Sequence, residues 1–66
     1  MRLTVNGEER TFPPLADLAA LVRTLGLDPR KVAVELNLAI VPRSLYDGTK
    51  LSEGDRIEIV HFIGGG

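Results

Sequence analysis

Only one stretch of this chain carries helical spacing. Leu15, Leu18, Leu21, Val22 and Leu25 recur at intervals of three and four, which lines one face of an amphipathic helix. The apolar residues on either side of it follow the two-residue alternation of strands, so the fold must be a sheet covered on one side by a single helix. Sixty-six residues make one domain, with no room for an enclosed active site. A domain of this size buries only about 60% of the surface that its unfolded chain exposes. Cysteine is absent, which excludes disulfides, thiolate metal sites and cysteine nucleophiles together. Stability must come from packing.

Leu3 and Val5 alternate with Arg2 and Thr4 in a half-buried strand that ends at Asn6-Gly7, a strong hairpin signal. A second strand over residues 8–12 is predicted to pair back on it. Pro13-Pro14 then blocks further ladder pairing. The helix is predicted over residues 15–25, with Asp17 in its first turn, where negative charge suits the dipole, and Gly26 as the left-handed residue that ends it. Residues 32–36 return to a strand pattern, with Val32, Val34 and Leu36 on one face, and Asn37 closes it. A short apolar piece over 38–41 meets Pro42, which suits an edge strand. Residues 44–54 read as a connection, with turn signals at Asp47-Gly48 and Glu53-Gly54-Asp55. In the last strand, over 56–62, Ile57, Ile59 and His61 point one way and Glu58, Val60 and Phe62 the other. If the isoleucines face the helix, Val60 and Phe62 meet water.

This order predicts an α+β fold of the β-grasp (ubiquitin-like) type: a mixed four- to five-stranded sheet packed on one main helix, which acts as a right-handed crossover. Residues 1–63 form the domain in this reading, and 64–66 a flexible glycine tail.

Eight basic and nine acidic residues are interspersed, with a formal net charge of −1, so a nucleic-acid partner is not expected. Residues 1–5 lack the apolar core of a signal peptide, and no apolar run approaches the roughly 18 residues that span a bilayer. A cytoplasmic protein without membrane contact is expected.

The side chains offer little chemistry. His61 is the lone histidine, and without a cysteine or a converging carboxylate it makes neither a metal site nor a triad; strand packing or partner contact is its expected role. Asp47, Glu53, Asp55 and Glu58 fall in turns and on a solvated strand face, where turn chemistry accounts for Asp47 and Asp55. No catalytic residue and no bound cofactor are expected. Gly64-Gly65-Gly66 does not fit a phosphate loop, since no helix follows. Placed directly after the last strand, these glycines are expected to carry a carboxylate on a stalk without Cβ atoms, thin enough for a narrow channel. Val60 and Phe62 are the expected docking surface beside it, and Ile63 the point where the tail leaves the domain.

These residues resemble the ThiS family of sulfur carriers in thiamine biosynthesis. The resemblance runs along essentially the whole chain. It rests on Asn6-Gly7, Leu25-Gly26-Leu27, Val32-Ala33-Val34-Glu35-Leu36-Asn37, Ile40-Val41-Pro42-Arg43, Glu53-Gly54-Asp55-Arg56-Ile57-Glu58-Ile59 and Val60-His61-Phe62-Ile63-Gly64-Gly65-Gly66. The resemblance implies a carrier that is not itself an enzyme. A ThiF-type adenylyltransferase would use ATP to adenylate the Gly66 carboxylate, a sulfur donor protein would displace AMP to leave a thiocarboxylate, and thiazole synthase, ThiG, would receive the sulfur. Gly64, Gly65 and Gly66 would enter the partner sites, with Val60, Phe62 and Ile63 docking. Three other readings stay open: the small subunit of molybdopterin synthase or another thiocarboxylate carrier, a ubiquitin-like modifier joined to lysines through Gly66, and a passive β-grasp interaction module.

Overall fold

The computed structural model describes residues 1–62. The elements follow as β1 (Arg2–Val5), β2 (Glu8–Thr11), α1 (Leu18–Thr24), β3 (Val32–Leu36), β4 (Ala39–Val41) and β5 (Arg56–His61), with 3-10 turns at Pro29–Lys31 and Arg43–Leu45. They build one five-stranded sheet in the order β2-β1-β5-β3-β4. β1 pairs antiparallel with β2 and parallel with β5, while β3 pairs antiparallel with both β4 and β5. β2 and β3 therefore run in the same direction, and α1 is the crossover that joins them. The last strand in sequence is the middle one in space.

The helix is shorter than the predicted 15–25, for a local reason. Asp17 is not in the first turn but is the N-cap, in extended conformation, and its carboxylate accepts the Ala20 N–H at 2.9 Å. The same carboxylate accepts the Gly48 N–H at 3.2 Å, which ties the start of the helix to the loop before β5. Those two N–H groups, Ala20 first and Gly48 second, hold the Asp17 carboxyl below its ordinary value. Leu15 packs on the core from the segment ahead of the helix, so its place in the apolar stripe is real although its backbone is not helical. The other end closes as expected. Gly26, at φ +80°, donates to the Arg23 carbonyl at 2.9 Å, and Leu27 donates to the Val22 carbonyl at 3.1 Å. This is the paired bonding of a Schellman motif.

Leu18, Ala19, Leu21 and Val22 of α1 pack on Leu3, Val5, Val32, Val34 and Ile57 of the sheet, with Phe12 just beyond β2. Tyr46 and Leu51 complete this core from the segment read as a plain connection. Tyr46 has a specific task. β4 pairs only with Val34, Glu35 and Leu36 of β3, because Pro42 turns the chain away, so Val32 has no strand neighbour on that side. The Tyr46 hydroxyl donates to the Val32 carbonyl at 2.9 Å in its place. Burial pushes the Tyr46 phenol above its ordinary pKa. Among the described residues, no helix is long and apolar enough to cross a membrane.

Candidate functional site

The sequence places its candidate chemistry after β5, and the structure shows what holds the base of that segment. The antiparallel ladder runs from Leu36 opposite Ile57 to Val32 opposite His61. One further bond extends it: the Phe62 N–H donates to the Lys31 carbonyl at 2.8 Å. The backbone is therefore held through the final described residue, at the end of the central strand. Ile63, Gly64, Gly65 and Gly66 lie outside the described residues.

Strand facing follows the predicted alternation. Ile57 is fully buried and Ile59 packs on the core beneath α1, while Val60 and Phe62 are 63% and 44% exposed on the other face. Register adds neighbours that the sequence reading left out. Val60 stands opposite Ala33 and Glu58 opposite Glu35, and Glu35 in turn stands opposite Ile40. The open face of β4, β3 and β5 thus combines Ile40, Ala33, Val60 and Phe62 with two carboxylates directly across from each other. Ile40 is 77% exposed. A cleft of about 230 Å³, lined by Ile40, Pro42, Arg43, Tyr46 and Phe62 among others, makes Ile40 and Phe62 parts of one surface. Alternation within residues 38–41 could have revealed Ile40, had the turn ahead of it been recognised as two residues long.

Two asparagines brace the central strand from either side. Asn6 donates its backbone N–H to the Ile57 carbonyl at 2.9 Å, and its side-chain oxygen accepts the Ile59 N–H at 2.7 Å. Its amide nitrogen donates to the Ile59 carbonyl at 3.3 Å. The side chain thereby continues the parallel ladder where β1 has already turned away. Asn37 does the same at the start of the strand: its N–H donates to the Arg56 carbonyl at 2.8 Å and its side-chain oxygen accepts the Arg56 N–H at 2.9 Å. Its amide nitrogen donates to the Asp55 carboxylate at 3.0 Å. Sequence reading saw Asn6 as a turn residue and Asn37 as the close of a strand, and missed the bracing, which depends on strands far away in sequence.

The acidic turn residues are committed to structure. Asp55 also accepts the Ser52 N–H at 2.7 Å, and Glu53 accepts the Arg2 N–H at 2.9 Å. His61 is exposed, at the rim of a groove that also involves Leu25, Leu27 and Ile59. Among the described residues, no group of three histidine, cysteine or acidic side chains could hold a metal ion. The site is an apolar and acidic surface next to an anchored strand end, suited to docking.

Known proteins are similar to this chain in sequence and in fold. A thiazole synthase of Paramagnetospirillum magneticum is 54% identical over 66 residues, spanning 100% of this chain and 20% of that protein. The chain likewise spans 20% of a thiazole synthase of Magnetococcus marinus, at 47% identity. The sulfur carrier protein ThiS of Bacillus subtilis is 41% identical over 46 residues, 70% of each chain. The crystal structure of the thiamine biosynthesis protein ThiS from Geobacter metallireducens superposes with a TM-score of 0.83 over 100% of both chains, at 35% identity. The ThiS family profile matches residues 3–66. With a β-grasp sheet, a braced central strand and this match over nearly its whole length, the chain belongs to the ThiS family.

Proposed function

We propose that the protein is a sulfur carrier for thiazole formation, with the Gly66 carboxylate as the group that is loaded. The observation that carries this reading is the anchored end of β5: the Phe62 N–H is bonded to the Lys31 carbonyl, so the backbone is held at a defined point, with Val60 and Phe62 exposed, up to the residue before the Ile63-Gly64-Gly65-Gly66 segment of the sequence. A carboxylate is anionic and a poor electrophile. An ATP-using partner of the ThiF type converts it to an acyl-adenylate and releases pyrophosphate. A sulfur donor then displaces AMP, so that one carboxyl oxygen is exchanged for sulfur. The thiazole synthase partner takes that sulfur.

In this reading the chain contributes a docking surface and the Gly66 carboxylate, and its partners supply the reacting side chains and the nucleotide. Glycine at the last three positions lets two differently shaped active sites admit the same segment. Holding those residues in a partner's channel costs about 1–2 kcal/mol per residue in backbone freedom. Docking of the open face offsets that cost, at about 25 cal/mol per Å² of apolar surface buried.

The test is the intact mass after incubation with ATP, a sulfur donor and the host's activating enzyme. The expected result is the gain of one oxygen-to-sulfur exchange in the full chain and none in a chain lacking Gly65 and Gly66, with unchanged melting temperature. Sulfur loading of the truncated chain would refute the reading. Appearance of the protein in higher-mass conjugates instead would identify a modifier.

A further inference from the structure

The turn between β3 and β4 carries a cost that the fold does not recover. Asn37 and Leu38 both have left-handed backbone, at φ 51° and φ 72°. Asparagine tolerates that conformation and here also gains bonds to Arg56 and Asp55. Leucine adopts it only at a cost, and Leu38 is 80% exposed, so packing within the domain returns little. A glycine would serve this turn better.

A second unfavourable feature lies on the adjoining face. Glu35 and Glu58 stand directly opposite across β3 and β5, a like-charge pair that weakens a sheet. The ion pairs among the described residues are Arg2 with Glu9 and Glu53, Arg23 with Asp47, and Arg30 with Asp28; neither glutamate takes part. Ile40 stands directly beside Glu35 on the next strand, one residue pair beyond the turn, and the cleft beside it continues to Phe62.

We infer that the Asn37–Leu38 turn, Ile40 and the Glu35–Glu58 pair form a second docking point for the sulfur-accepting synthase, which covers Leu38 with an apolar pocket and brings a lysine or arginine to the two carboxylates. The assignment rests on the carrier reading above. Charge complementarity calls for a basic partner. It also disfavours a second copy of this chain, whose matching face would present the same two glutamates. Continuity with Phe62 puts this point on the same side as the proposed docking surface. The synthase is the chosen occupant because relatives named thiazole synthase contain a segment like this whole chain.

The experiment measures Kd of the full chain for purified thiazole synthase, and the melting temperature, for wild type, Leu38→Gly and Glu35→Lys. Loss of one buried leucine or reversal of one paired charge should weaken binding by about tenfold or more. Melting temperatures should stay level or rise, since Leu38→Gly removes strain and Glu35→Lys gives Glu58 a partner. Raising salt should weaken the wild type more than Glu35→Lys. Unchanged Kd in both variants overturns the inference, as does a melting temperature lowered by more than about 5 °C in Leu38→Gly, which would make Leu38 a packing residue. So does a wild-type dimer that Leu38→Gly dissolves, or loss of affinity only for the activating enzyme. If the wild type acquires sulfur in the mass assay yet does not bind the synthase, the inference and the thiazole destination fall, and loading of the Gly66 carboxylate stands.

Discussion

The two hairpins of this sheet have the same turn and opposite sequence logic. Asn6-Gly7 joins β1 to β2 and Asn37-Leu38 joins β3 to β4, each with left-handed backbone at both turn positions. In both, asparagine comes first and its amide braces β5. The difference is the second residue. Gly7 adopts φ +81° without strain, whereas Leu38 holds φ 72° against its own Cβ. The strands differ likewise. β2 is exposed throughout and reads Glu-Glu-Arg-Thr, a charged edge of the kind that discourages further strand pairing. β4 reads Ala-Ile-Val. One end of the sheet is protected and locally consistent, and the other is apolar and strained. Local rules fail at the end where a partner is proposed to sit, as expected where function rather than stability selects the residue.

Three experiments press on that comparison. The largest effect is expected from removing the braces: Asn6→Ala and Asn37→Ala each lose side-chain bonds to β5 and put a Cβ-bearing residue without a polar side chain in left-handed conformation, for about 2 kcal/mol by urea unfolding. Near-equal losses would show that the asparagines, and not the residues after them, set turn stability. A negligible loss in either would end the bracing account for that turn.

Exchanging the second residues comes next. Gly7→Leu should cost about 1–2 kcal/mol, because nothing lies within 4 Å of the added Cβ and only the backbone conformation opposes it. Leu38→Gly should gain up to about 1 kcal/mol, the strain relieved being partly cancelled by glycine's greater freedom when unfolded. If Leu38→Gly destabilises instead, the two turns are not equivalent.

The smallest effect is expected in acid, away from both turns. Asp17 is held low by the Ala20 and Gly48 N–H groups. Asp28 is held at about 2 by the Arg30 guanidinium, at 2.9 Å and 3.1 Å, and by the Arg30 N–H. Both folded values lie below the ordinary 3.8, so their stabilisation is complete above that pH and lost as pH falls through the folded values. Both residues are half-buried at the surface, where solvent still screens their interactions, and the decline should be shallow. Thermal melts from pH about 5 down to about 2 should show it, less steeply in Asp17→Asn or Asp28→Asn.

Much of the site was legible before the structure. Val60 and Phe62 alternate with Ile57 and Ile59, so burying one pair exposes the other, and the anchored end of β5 follows once that strand is recognised. Gly26 and Pro42 ended their elements as their backbone chemistry requires. The helix start was misplaced because Leu15 keeps the apolar spacing although Asp17 caps the backbone two residues later, and spacing alone does not distinguish a helical leucine from one packed ahead of the cap. Tyr46 and Leu51 were passed over because turn residues surround them and neither belongs to a periodic run.

What the sequence determined by itself was everything set by near neighbours: strand alternation, the first hairpin, the helix end, the proline stop after β4 and the resemblance to the ThiS family. Tertiary structure alone decided that β5 lies in the middle of the sheet, that Glu35 stands across from Glu58, and that Leu38 is strained and exposed. These depend on pairing between segments far apart in the chain. Local pattern leaves strand order open, because the free energy that selects it is gained only when the whole apolar face closes against the helix.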